Sequence, residues 1–318
     1  MTILVTGAAG FIGSAIARRL AVGEEPVVGI DALTDYYDPA LKRANVDSIP
    51  GNFDFRHADL NDVDIDHLLD GVTTVFHQAG QPGVRKSWGS DFQAYVDANI
   101  SATQRLLEAA RRSAGLRRVV YASSSSVYGN AETYPTSEEE RPQPVSPYGV
   151  TKLAAEHLCS LYASNFGVPV VSLRYFTVYG PGQRPDMAFN RFIRAAQTDA
   201  AIPVYGSGEQ VREFTFVDDV VNANVSAAQE KVDPGTVFNV SGGTSISVND
   251  VLDLLSDIAG HRLRINRTDA VDGDVRRTGG SVEKIRSTLG WRPRTSIEEG
   301  LRAQWDSLVQ PHSSSTGA

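Results

Sequence analysis

The chain has 318 residues, 41% of them hydrophobic, and a formal net charge of -8. That length suits one large or two small domains with a substantial core, and the acidic balance argues against nucleic-acid or anionic-membrane binding, which needs clustered Lys and Arg. The single cysteine, Cys159, excludes an internal disulfide and argues against a cysteine-built metal site, and no run of about 18 apolar residues predicts a spanning helix.

In chain order, residues 2–6 read as a short apolar strand and residues 11–22 as a helix by spacing. The intervening glycines and the lack of a basic start favour strand-turn-helix over a signal peptide, so a cytoplasmic enzyme is expected. Strands follow at 27–30, 54–57 and 73–77, with a helix at 62–69. Residues 91–113 carry apolar positions at helical spacing. A strand at 118–122 leads into a serine run, then come a long helix at 147–166 and a strand at 169–174. Alternating strands and helices predict βαβ units, a parallel sheet and a Rossmann-type doubly wound α/β fold.

Beyond about residue 175 loops lengthen and turn signals cluster. Helices are expected at 188–198, 248–259 and 297–309. The expected division is a dinucleotide-binding domain at 1–175, to which 214–240 returns. A smaller α/β substrate domain takes 176–213 and 241–309, and 310–318 is a polar tail.

Gly7, Gly10 and Gly13 lie between the first strand and helix. Glycines there permit a tight turn and close backbone approach, and a helix N-terminus favours a pyrophosphate. Asp31 ends the next strand, where a carboxylate binds both ribose hydroxyls and repels a 2'-phosphate, favouring NAD over NADP. Asp59 and Leu60 follow the third strand, where an adenine fits. Gln78, Ala79 and Gly80 end the fourth, where small residues let the backbone approach a cofactor. Asn99 sits in a helix, where Asn has little intrinsic preference, and is expected to bond a neighbouring loop.

Tyr148 and Lys152 are four apart and share a helical face downstream of Ser124. A cation beside a phenol lowers its pKa, and such a phenol takes a proton from a substrate hydroxyl near neutral pH. His57 and His77 end strands without partnered metal-ligand spacing, so no metal is expected.

The segments TGAAGFIG, HQAG, YASSSSVYG, YGVTK and FTFVDD, in that order, resemble the extended short-chain dehydrogenase/reductases acting on nucleotide sugars. The resemblance covers residues 1 to about 308 and implies bound NAD, a UDP-sugar substrate and a homodimer built through a four-helix bundle. It implies Tyr148 as proton acceptor, Lys152 as ribose ligand and modulator of the phenol, and Ser124 as partner of the reacting oxygen. Phe11, Ile12, Lys42, Ala122 and Tyr175 join the cofactor positions.

Sugar 4,6-dehydratases carry an Asp-Glu pair where this chain has Ser125 and Ser126, and UDP-glucuronate decarboxylases carry Glu at the latter. Hydroxyls there do not by themselves remove protons. The run from Arg174 to Ala188, with Thr177, and the segment around Arg85 resemble most closely UDP-glucuronate 4-epimerases. UDP-glucose 4-epimerases are the first alternative and UDP-glucuronate decarboxylases the second, and a non-catalytic NAD-binding regulator is the reading from another class. Ser124, Ser125, Ser126 and Thr177 are expected at the sugar carboxylate and Arg184 at the ring. In relatives, positions matching Ala188, Phe189, Phe192, Val204, Tyr205, Arg212, Asp274 and Arg276 meet the nucleotide.

Overall fold

The computed structural model describes residues 1–269 and 277–309. The first half runs β1 (Thr2–Thr6), α1 (Phe11–Ala21), β2 (Val27–Asp31), α2 (Pro39–Asp47), β3 (Phe53–His57), α3 (Ile65–Leu68) and β4 (Val72–His77). It continues through α4 (Phe92–Tyr95), a π-helical stretch (Val96–Ser101), α5 (Ala102–Arg112), β5 (Arg118–Ser124), α6 (Pro147–Phe166) and β6 (Val170–Tyr175). The second half runs β7 (Thr177–Tyr179), α7 (Ala188–Gln197), β8 (Ile202–Tyr205), β9 (Val211–Phe216), α8 (Val217–Gln229) and β10 (Val237–Val240). Then come β11 (Ser245–Ser247), α9 (Val248–Ala259), β12 (Ile265–Thr268), α10 (Glu283–Leu289) and α11 (Ile297–Val309).

Seven strands form one parallel sheet in the order β10-β6-β5-β4-β1-β2-β3. The chain winds outward from β1 in one direction and from β4 in the other, so the crevice between their C-terminal ends is the topological switch point where such sheets bind ligands. Two small sheets, β11-β9-β7 and β12-β8, belong to the second half.

Central strands are buried on both faces, and the two-residue strand period sorts their side chains. Ile3 and Val5 enter the core under α1 and α8, whereas Leu4 enters the core under α3, α5 and α6. The α6 boundaries follow from local chemistry. The Ser146 hydroxyl accepts from Gly149 N at 3.1 Å, Pro147 opens the first turn, and Gly167 ends the helix at φ 68°.

In the first half three elements differ from the sequence expectation, and in the second half α8 and α10 were not expected. The helix expected at 62–69 contracts to Ile65–Leu68, started by the Asp64 side chain. The stretch expected as one helix at 91–113 carries a π-helical segment around Asn99. Helix α2 was not expected, although Asp38 caps it at Ala40 N (2.9 Å) and Pro39 opens it; few apolar residues mark its register.

The C-terminal segment is tied to α8 by Asp219, which is 3% exposed. Its Oδ2 accepts from Arg294 N and Thr295 N, both at 3.1 Å, and its carbonyl accepts from Trp291 Nε1 at 3.0 Å. Asp219→Ala strands two backbone donors, so urea unfolding should show a loss of about 2–4 kcal/mol.

Candidate active site

The glycine turn after β1 is built by close contact. Gly7 has φ +68°, and a Cβ there would lie 2.7 Å from Ala79 N. A Cβ on Gly13 would lie 2.0 Å from Gly7 O. These glycines seat α1 against the strand ends. No side chain caps α1 at Gly10 and its first turn holds no acid, so its N–H groups and positive dipole end suit a pyrophosphate.

Asp31 is anchored to the same turn. Its Oδ2 accepts from Ala9 N at 3.1 Å and its Oδ1 from Leu33 N at 2.8 Å. From α2, Asn45 Nδ2 donates to Ala9 O at 3.0 Å. Lys42 Nζ donates to Thr34 O at 2.7 Å and Oγ1 at 2.9 Å, and lies 4.8 Å from the Tyr37 ring centre. Burial lowers the Lys42 pKa, with Asp31 opposing.

One cleft runs along the switch point. Its walls include Gly7, Gly10, Phe11, Ile12, Gly13, Asp31, Lys42, Asp59 and Leu60 from one side. Gln78, Ala79, Gly80, Ala122, Tyr148, Lys152, Tyr175 and Arg184 complete it. Asp59 also accepts from Asn61 N at 2.8 Å, an ordinary turn contact. The Tyr175 hydroxyl lies 2.9 Å from Asn224 Oδ1 and 3.2 Å from Gln78 Oε1, and Gln78 Nε2 donates to Asn224 Oδ1 at 3.2 Å.

Asn99, which the resemblance places among the cofactor positions, lies behind the cleft wall at the loop after β4. Its Oδ1 accepts from Gln81 N at 2.7 Å, and its Nδ2 donates to Gln81 O at 3.2 Å and Thr151 Oγ1 at 3.0 Å. It fixes the loop after β4 to α6, which is the loop contact its helical position suggested.

Ser124 ends β5, while Tyr148 and Lys152 occupy successive turns of α6. The Tyr148 ring meets Tyr95 edge-on at 6.2 Å. Burial raises the Tyr148 phenol pKa, with the Ser124 hydroxyl and the Arg184 guanidinium acting in the opposite sense. Burial also pulls Lys152 down to about 8, against Cys159 and Glu156. At the phenol desolvation dominates, and Ser124 and Arg184 offset it.

On the outer side, Ser125 and Ser126 begin a 3-10 turn, partly buried, and Ser126 N donates to Ser124 Oγ at 3.1 Å. Thr177 opens β7 and is partly buried. Arg184 grips Asp186 through Nε (3.0 Å) and Nη2 (2.9 Å) and lies 5.7 Å from the Tyr36 ring centre. The Arg85 guanidinium stacks 4.5 Å from the Tyr205 ring centre, joining two positions 120 residues apart. Ala188 is exposed at the start of α7, and Arg212 lies on β9.

Three of the expected nucleotide positions carry buried side chains. The side chains of Phe189, Phe192 and Val204 are 1%, 7% and 1% exposed and lie in the core, where Phe189 packs 4.4 Å from Phe214. Any contact with a ligand there falls to the backbone. Asp274 and Arg276 lie outside the described residues. Sequence reasoning missed Tyr36, whose hydroxyl would meet a Gly83 Cβ at 2.0 Å, and Tyr37, Asn45 and Asn224. The Asp38-Pro39 start signal of α2 was the one local clue to Asn45.

Residues 3–241 match the model of the NAD dependent epimerase/dehydratase family. The chain belongs to this family. An uncharacterised UDP-glucose epimerase of Bacillus subtilis, YtcB, is 41% identical over 95% of this chain and 96% of its own. A UDP-glucuronate 4-epimerase of Thermodesulfobacterium geofontis is 35% identical over 94% and 93%. The crystal structure of the Bacillus cereus UDP-glucuronic acid 4-epimerase with UDP-glucuronic acid and NAD superposes with a TM-score of 0.93 at 42% identity, covering 97% of this chain and 99% of that one.

His77 supports the floor of the site. Its ring bridges Thr6 Oγ1 (2.7 Å) and Thr103 Oγ1 (2.9 Å), and burial, with Lys152 adding to it, pushes its pKa down to about 3. An unfolded histidine titrates near 6.5, so the stability His77 contributes is full above that pH and is lost as pH falls toward about 3. Urea titrations from pH 6.5 to 4 should show a stability slope for His77→Gln shallower than wild type by up to about 1.4 kcal/mol per pH unit.

Proposed function

We propose that this chain is an NAD-dependent UDP-glucuronate 4-epimerase, an isomerase interconverting UDP-glucuronate and UDP-galacturonate. The observation that carries this reading is the set Ser124, Tyr148 and Lys152 at the sheet's C-terminal edge, with hydroxyls at Ser125 and Ser126 where elimination or decarboxylation calls for carboxylates. The likeness to the Bacillus cereus enzyme supports it.

The glycine cradle and the uncapped α1 N-terminus fit the NAD pyrophosphate, and Asp31 fits the adenosine ribose. Bound NAD supplies an acceptor that takes hydride from sugar C4 and returns it. Tyr148 removes the proton from the C4 hydroxyl and later gives it back, and Ser124 holds the reacting oxygen. Lys152 favours the phenolate and binds the nicotinamide ribose.

Oxidation at C4 puts a ketone β to the C6 carboxylate. Such an acid loses carbon dioxide when the breaking bond aligns with the carbonyl π system. Ser125, Ser126 and Thr177 hold the carboxylate out of that alignment by hydrogen bonds, which are stronger to an anion than to a hydroxymethyl. Arg184 meets the sugar ring as the ketone turns over about its glycosyl-phosphate linkage. Arg85, Tyr205 and Arg212 take the nucleotide end.

Residues 1–175 with 214–240 form the NAD-binding unit, and 176–213 with 241–309 the nucleotide-sugar unit. The chain acts in the cytoplasm as a homodimer. Val150, Leu161 and Phe166 on α6 and Phe92 on α4 expose apolar surface that a four-helix bundle covers. Among the described residues, no helix is long and apolar enough to cross a membrane. The Bacillus subtilis relative favours UDP-glucose as a second reading.

NMR of the products from each sugar decides between them: UDP-galacturonate from UDP-glucuronate is expected, and UDP-galactose formed without UDP-galacturonate overturns the substrate. Tyr148→Phe should lower kcat by about 10²–10⁴-fold while NAD stays bound. Thr177→Ala should release carbon dioxide and pentose product from UDP-glucuronate; an unchanged product ratio removes Thr177 from the carboxylate role.

A further inference from the structure

Under the catalytic helix lies a buried ion pair that the mechanism above does not use. The Glu156 and Arg174 side chains are only 3% and 5% exposed. Arg174 donates from Nε to Glu156 Oε2 at 3.0 Å and from Nη2 to Oε1 at 2.6 Å. Ser123 Oγ donates to the same Oε2 at 2.6 Å. The remaining Arg174 nitrogen, Nη1, donates to the Tyr128 hydroxyl at 2.7 Å, which donates to Asn239 Oδ1 at 2.8 Å. The network thus joins α6, β5, β6 and β10.

Each member sits beside a site residue. Glu156 is one helical turn beyond Lys152 on the same face of α6. Ser123 precedes Ser124, and Arg174 precedes Tyr175. A buried ion pair adds little net stability compared with a well-packed apolar pair, so stability is a poor reason for its presence.

We propose that Glu156 is a positioning residue: seated by Arg174 and Ser123, its carboxylate keeps the Lys152 ammonium charged and holds Ser124 and Tyr148 in register across the β5–α6 seam. The inference rests on the reading of Ser124, Tyr148 and Lys152 as the catalytic set. The other titratable groups acting on Lys152 are neutral near pH 7. Burial raises the Tyr148 and Cys159 pKa values on α6 and that of Tyr121 on β5, whose ring centre is 4.8 Å from Lys152 Nζ. Burial lowers that of His77 on β4. Glu156 is the anion left among them, and Arg174 is the cation that accompanies it.

The test is direct titration of Lys152, one of five lysines in the chain. Full-length protein labelled with ¹³C-lysine is followed by NMR at Cε across pH 6–11, with Lys152→Met assigning the signal. In Glu156→Gln the Lys152 midpoint should fall by about one unit, and the alkaline limb of kcat should fall with it. If that variant does not fold, Glu156→Gln with Arg174→Met removes both charges and should shift the midpoint in the same direction. An unmoved Lys152 midpoint in a folded variant overturns the proposal, even if activity drops. A wild-type protein without epimerase activity overturns the catalytic reading instead, and the titration still reports on Glu156.

Discussion

The structure depends on how closely the start of α1 approaches the end of β1. Gly7 O occupies the space a Cβ on Gly13 would fill, and a Cβ on Gly7 would strike the backbone at Ala79. Only glycine lets the helix end, its unpaired N–H groups and its dipole reach the crevice between β1 and β4. The same turn then organises its neighbours. Asp31 bonds the amide of Ala9 and Asn45 bonds its carbonyl, so the carboxylate at the end of β2 and the glycine turn are held as one piece.

Burial sets the electrostatics of the reacting end. It raises the Tyr148 phenol and lowers the Lys152 ammonium, driving each toward its neutral form. A base catalyst needs the opposite, so charged and polar neighbours must oppose desolvation. Ser124 and Arg184 do this for the phenol, and Cys159 and Glu156 act in that sense on the ammonium. Distant segments therefore share one titration problem, which ties the β5, β6 and Arg184 regions to the helix carrying the base.

Much of the fold was legible because its signals are local. The boundaries of α6 follow from Ser146, Pro147 and Gly167, and the ends of α9 from the Ser247–Asp250 capping box and Gly260. The turn between β1 and α1 was legible for the same reason: three glycines between a strand and a helix mark a close approach of the two. Helix α2 was missed because its apolar stripe is thin, and the π-helical stretch at Asn99 was missed because tertiary bonds to Gln81 and Thr151, not its sequence period, hold it.

The sequence by itself determined the strand-helix alternation of a doubly wound sheet, the glycine turn, the Tyr148–Lys152 spacing and the absence of acids at Ser125 and Ser126. These are matters of residue type at short range. Tertiary structure alone decided that Arg85 stacks on Tyr205, that Tyr36 closes over Gly83, and that Glu156 meets Arg174 beneath the base. It also decided that Phe189, Phe192 and Val204 serve the core. Apolar residues beside a turn look alike in sequence whether they face a ligand or another layer, and only packing distinguishes them.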